Sequence, residues 1–106
     1  MIILDPHRDG CTVWIINPLI GNKVTTIKGD IVEVCKSLIR RLAVYKEVKN
    51  QWGNYVKKLV WADEVYLDMS GFGRDYKYIF NDYGLYIIEI CPKSADSIIP
   101  ERMEIR

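Results

Sequence analysis

One stretch restricts the fold of this chain more than any other: Glu64-Val65-Tyr66-Leu67-Asp68-Met69-Ser70-Gly71-Phe72-Gly73-Arg74-Asp75-Tyr76. A short apolar strand ends in a carboxylate, turns through Gly-Phe-Gly and enters a helix. That helix would carry Tyr76, Ile79, Phe80 and Tyr83 on one face and stop at Gly84, where a left-handed cap costs little without a Cβ. Residues 85–90, Leu-Tyr-Ile-Ile-Glu-Ile, form a β-branched apolar run of the kind that makes a buried strand. Strand, helix, strand is a βαβ unit, whose crossover is right-handed and joins parallel strands. Ligands of open α/β sheets gather beyond the carboxyl ends of the strands. Asp68 has that address. The competing explanation is that Asp68 simply ends the strand and accepts hydrogen bonds from the turn amides.

The residues before this unit read as a meander followed by helix. Residues 1–4 form an apolar strand that runs into Asp5-Pro6-His7-Arg8-Asp9-Gly10, where Asp-Pro and Asp-Gly mark a turn. A second strand resumes at 11–16, Asn17-Pro18 and Gly21-Asn22 punctuate another turn, and a third strand covers 23–28. From Ile31 the apolar positions are Ile31, Val34, Cys35, Leu38, Leu42 and Tyr45, at helical spacing, with Arg40, Arg41 and Lys46 suiting the C-terminal end of the dipole. A second helical segment, broken from the first near Asn50 or Gly53, would carry Trp52, Tyr55, Val56, Leu59 and Val60. Residues 92–106 are a polar tail with Pro92 and Pro100 as breakers, expected as a short helix or as partly disordered chain.

The expected order is therefore β-β-β-α-α-β-α-β. This is an α/β chain with a mixed five-stranded sheet and helices on both faces. Its core would include Ile3, Val13, Ile15, Leu38, Leu42, Leu67, Ile79, Phe80, Ile87 and Ile88. At 106 residues and 49% hydrophobic content the chain is sized for one domain with one core. A net charge of +1 exerts no global pull on nucleic acid or acidic membrane, although it leaves room for a local basic groove. No apolar run spans a bilayer and no signal peptide opens the chain, so the expectation is no membrane partner and a cytoplasmic location. Cys11, Cys35 and Cys91 each fall in an apolar run without a Cys-x-x-Cys. With His7 as the only histidine, they read as reduced, buried hydrophobes rather than zinc ligands.

Three antiparallel strands followed by α-β-α-β is the element order of the ribonuclease H-like fold, and here the motifs join it. Residues 1–13, Met-Ile-Ile-Leu-Asp-Pro-His-Arg-Asp-Gly-Cys-Thr-Val, resemble the first hairpin of RuvC-type Holliday-junction resolvases and terminase nucleases. In those families an apolar strand delivers an Asp, often followed by Pro, to a metal site. Val65-Tyr66-Leu67-Asp68 resembles their fourth strand, which ends in a second metal-binding carboxylate. Ser70-Gly71-Phe72-Gly73-Arg74 and Gly84-Leu85 are most similar to terminase nucleases. The resemblance covers roughly residues 1–91 and implies sheet order 3-2-1-4-5, with Asp5 and Asp68 as catalytic metal ligands. In ribonuclease H a Glu in the first turn of the first helix completes the site, and Val32-Glu33-Val34 resembles that position. Asp30 and Glu33 also have the spacing of a capping box, which explains the pair without a metal.

Elementary chemistry agrees with the pairing. If the first and fourth strands are parallel neighbours they lie about 4.8 Å apart. Asp5 and Asp68 would then repel one another unless a divalent cation intervened, and an all-oxygen site suits Mg²⁺ or Mn²⁺. Two such ions can activate water and stabilise the leaving oxygen in phosphodiester cleavage. The families' further Asp, on a helix after the fifth strand, has only Asp96, Glu101 and Glu104 as loose counterparts, so the domain reads as minimal or truncated at the C-terminus, and its site as minimal, completed by another subunit, or no longer catalytic. His7 and Asp9 are a candidate general base and extra ligand, with the Asp9-Gly10 turn as the plainer explanation.

Arg8, Arg74 and Lys77, with Lys23 and Lys28, are expected to hold phosphates around the acidic site, or equally to form a solvated face. Two functions follow: a metal-dependent endonuclease on DNA or RNA, or a catalytically silent module of the same fold that binds protein or nucleic acid. Seven tyrosines and three tryptophans also point to a homodimer, with residues 52–60 as an amphipathic helical interface.

Overall fold

Residues 1–91 of the chain are described by the computed structural model. The expectations for 92–106, including Asp96, Glu101 and Glu104, lie outside the described residues. The turn residues near the N-terminus produce the expected meander of β1 (Ile2–His7), β2 (Gly10–Asn17) and β3 (Gly21–Lys28), paired antiparallel throughout. Helix α1 (Ile31–Leu42) follows. The Asp30 carboxylate caps it by accepting from the Glu33 N–H at 2.9 Å, and its stripe of Val34, Cys35, Leu38 and Ile39 is buried.

Beyond Leu42 the chain departs from expectation. Ala43 is already extended, and Tyr45 and Lys46 belong to a strand rather than to the last turn of a helix. Strands β4 (Ala43–Lys49) and β5 (Tyr55–Trp61) pair only with each other, as a two-stranded ribbon where a second helix over 52–60 was expected. The physical reason lies in the sequence period. Val44, Lys46 and Val48 fall on one side of a period-two pattern, as do Val56, Lys58 and Val60, and the β-branched valines favour an extended ribbon. Asn50 closes the turn, its side-chain oxygen accepting the N–H groups of Trp52 and Asn54, each at 3.0 Å. The segment proposed as a helical dimer interface is thus an exposed ribbon, and Trp52 is 75% exposed.

The chain then makes β6 (Val65–Asp68), α2 (Gly73–Asp82) and β7 (Ile88–Ile90). The main sheet is mixed and five-stranded, in the order β3-β2-β1-β6-β7, with β1–β6 and β6–β7 parallel. The order differs from the expected 3-2-1-4-5, because the two ribbon strands intervene and the strands beyond β1 are the sixth and seventh. Helix α2 ends near the expected place, with Gly84 at φ 74°.

Both helices cover one face of the sheet, not two. Val34, Cys35, Leu38, Tyr76 and Phe80 pack with Ile2, Leu4, Val13, Val65 and Leu67 in a single core. Moving from β3 to β6 to β7 advances across the sheet in one direction, and two right-handed crossovers in one direction place both helices on the same side. Among the described residues the opposite face carries a smaller cluster of Ile3, Trp14 and Ile90, bordered by Met1, Ile16 and Tyr66. Of the expected core, Ile3, Val13, Leu38, Leu67 and Phe80 are buried, and Ile15, Leu42, Ile79 and Ile87 are partly buried. Ile88 is 45% exposed, on a three-residue edge strand whose face opposite the helices it shares with Tyr66. Cys11 and Cys35 are buried as expected, whereas Cys91 is exposed.

Candidate functional site

Strand alternation decides which way the carboxylates face. Ile2 and Leu4 of β1 belong to the helix-covered core and Ile3 to the opposite cluster, so Asp5 shares with Ile3 the face opposite the helices. In β6, Val65 and Leu67 face the helices, which puts Asp68 with Tyr66 on the face opposite them. The parallel register runs Ile2↔Val65, Ile3↔Tyr66, Leu4↔Leu67. Asp5 and Asp68 are each one residue past its last pair. They therefore lie side by side just beyond the paired stretch, on the same face and towards the same carboxyl end of the sheet, with strand axes about 4.8 Å apart.

The surroundings of the two differ. Asp68 is 3% exposed, and one of its oxygens accepts both the Ser70 N–H at 3.0 Å and the Ser70 hydroxyl at 2.7 Å. The turn-amide explanation of Asp68 is thus correct as well, and it leaves intact the pairing with Asp5. Asp5 is more open, and its carboxylate lies 3.8 Å from the His7 Nε2. That nitrogen is also 2.9 Å from the Thr12 hydroxyl, and Thr12 is the register partner of Asp5. Beside His7 opens a concavity of about 460 Å³ lined by Arg8, Asp9, Gly10, Thr26 and Lys28.

Both glycines of the Gly-Phe-Gly turn serve this end of the sheet. Gly71 sits at φ 64°, a left-handed conformation costly for other residues. Gly73 is buried, and a Cβ there would run into the backbone carbonyl of Asp68. The turn therefore packs the start of α2 directly under the strand end that holds the carboxylate.

The other expected site residues are distributed as follows. Glu33 is exposed and lies in a groove between α1 and β3 with Lys28, Lys36 and Arg40, on the helix side of the sheet. Its backbone N–H is the group capped by Asp30. Arg8 and Arg74 are exposed, in the β1–β2 turn and the first turn of α2, both at the carboxyl end of β1 and β6. Lys77 is half-buried and paired with Glu89 at 2.6 Å. Among the described residues no three His, Cys, Asp or Glu side chains form a group that could hold a metal ion.

Two site neighbours escaped the sequence reading. Thr12 follows from the two-residue Arg8-Asp9 turn, which sets His7 opposite Gly10 and hence Asp5 opposite Thr12. Ser70 follows from Asp68, because an Asp commonly accepts from the backbone two residues on.

No family model, curated protein or solved structure matches this chain.

Proposed function

We propose that the chain is a Mg²⁺- or Mn²⁺-dependent nuclease of ribonuclease H-like type, hydrolysing phosphodiesters of DNA or RNA. The observation that carries this reading is the placement of Asp5 and Asp68 side by side on adjacent parallel strands, on one face of the sheet and towards its carboxyl end. Mg²⁺ is commonly held by one or two carboxylates, with water and substrate phosphate filling the remaining positions, and the pair fits that demand. Asp5 and Asp68 would hold the ion. Its chemistry, when bound, is polarisation of a phosphate oxygen and acidification of a water. Ser70 fixes the Asp68 carboxylate from behind, His7 is a base within reach of Asp5, and Arg8 and Arg74 would neutralise phosphates beside the site. Glu33 joins the set only if its side chain swings round the N-terminus of α1.

A nicking assay on plasmid DNA and a cleavage assay on single-stranded RNA, each with Mn²⁺, test the reading. Asp68→Asn and Asp5→Asn should each abolish cleavage while leaving the circular dichroism spectrum unchanged; cleavage at the wild-type rate in either variant would falsify the assignment.

The second reading is a catalytically silent module of the same fold that binds protein or nucleic acid. It is favoured by the full occupation of one Asp68 oxygen by Ser70 and by the distance of Glu33 from the pair. Calorimetric titration separates the two readings. Millimolar Mn²⁺ that binds the wild type and fails to bind Asp5→Asn supports the nuclease, and no binding to either supports the silent module.

A further inference from the structure

The charge of this chain is unevenly placed. The β4–β5 ribbon with its turn, residues 43–61, holds Lys46, Lys49, Lys57 and Lys58 against the single acid Glu47. Of fifteen basic and fourteen acidic residues in the chain, that leaves the remainder with an excess of acids. The net positive charge therefore resides in the ribbon. Lys46 stands directly opposite Lys58, an arrangement that destabilises an antiparallel pair unless an anion relieves it. Among the described residues none of the four lysines forms an ion pair.

The ribbon is also attached by one end only. Ala43, Leu59 and Trp61 pack against the main core, while every residue from 51 to 58 is exposed. Aromatic rings are concentrated on this free part: Tyr45 is 74% exposed, Tyr55 70% and Trp52 75%. Trp52 is not loosely displayed. Asn50 gathers the N–H groups of Trp52 and Asn54, the Gly53 N–H bonds back to the Asn50 carbonyl at 3.0 Å, and Gly53 turns at φ 82°. An ordered turn thus holds a large apolar ring out in water.

We propose that the β4–β5 ribbon is an arm that docks in the major groove of a nucleic-acid duplex. Alternation sets Lys46 and Lys58 on one face of the ribbon and Lys49 and Lys57 on the other. A ribbon that enters a groove tip first has a row of phosphates against each of its two faces, which lysines on both faces suit. A two-stranded ribbon has the cross-section that the B-DNA major groove, about 12 Å wide, admits. The lysines would contact the backbones, and Trp52 at the tip would reach the groove floor. The inference rests on the nucleic-acid part of the proposed function and is independent of metal and cleavage.

Fluorescence anisotropy with a labelled, mixed-sequence DNA duplex tests it, using the full chain with Asp68→Asn in EDTA so that no cleavage intervenes. The expected result is salt-dependent binding. Lys46→Gln combined with Lys58→Gln should weaken it about tenfold and lower the slope of log affinity against log salt by about two. Trp52→Ala should weaken binding while leaving that slope unchanged. The positions are exposed, and a melting temperature no lower than that of the parent in each variant verifies the fold. Unaltered affinity and slope in the double-lysine variant would overturn the proposal. So would the absence of duplex binding at low salt, tighter binding of the single strand than of the duplex, or equal binding of polyglutamate, which would mark a surface for an acidic protein. Because binding is read without metal, failure of the arm and failure of the nuclease assignment are separately visible.

Discussion

At the scale of single residues, burial decides which cysteines have chemistry. Cys11 and Cys35 are buried in the core between sheet and helices, and burial pushes both thiols up from their ordinary 9.0 to about 12. Cys91 is exposed. A disulfide reagent applied at pH 8 should therefore modify Cys91 rapidly and reach the other two only when the chain unfolds. Rapid modification of all three in the native state would contradict the packing. The same shift has a consequence for pH dependence. Where the folded-state pKa lies above the unfolded one, the stabilising contribution is complete below the unfolded value and declines as pH rises towards the folded value. Stability to urea should hold up to about pH 9 and fall between there and about pH 12, and substituting serine for either buried cysteine should make that alkaline loss smaller.

At the scale of elements, the turn between β6 and α2 does the positioning. Gly73→Ala should displace either α2 or the Asp68 carbonyl, because the added methyl has no room against that backbone. Overpacking of this kind costs roughly 1–3 kcal/mol. If the nuclease reading holds, cleavage should fall further than the lost stability explains, since the strand end itself must move. Chemical denaturation together with Mn²⁺-dependent cleavage checks both parts.

The βαβ unit around this turn was legible in the sequence because its signals agree: an apolar strand, a carboxylate, two glycines, then helical spacing. The same holds for the meander and its turns. The ribbon was misread because Tyr45, Trp52, Tyr55, Val56, Leu59 and Val60 also satisfy a helical stripe. The period-two pattern of Val44, Lys46 and Val48 spans only a few residues, and the turn around Asn50 is visible only as polar spacing. The placement of both helices on one face was implicit in right-handed crossovers running in one direction, and required the strand order to be known. The separation of Glu33 from the two aspartates could not be read from spacing, because it depends on which side of the sheet α1 lies.

At the scale of the whole molecule, one side-chain hydrogen bond joins two distant parts of the chain through the core. The buried Tyr76 hydroxyl donates to the Gly10 carbonyl at 3.2 Å, joining α2 to the first hairpin through the core. Tyr76→Phe keeps the ring against Phe80 and removes the donor, so it should cost about 1 kcal/mol in urea unfolding. An unchanged midpoint would show that the hydrogen bond contributes nothing. No helix of the described residues is long and apolar enough to cross a membrane.

The pairing of β1 with β6 has a kinetic meaning. Ile2 meets Val65 across almost the whole length of the two-carboxylate framework, with a meander, a helix and a ribbon between them in the chain. The meander and the ribbon can each close locally, within about microseconds for an isolated hairpin. The parallel pair must first close a long loop, and non-local parallel pairings are intrinsically slow. Asp5 and Asp68 are therefore brought side by side only when the two halves of the chain have met, and an emerging or half-folded chain carries two separate acids rather than a site.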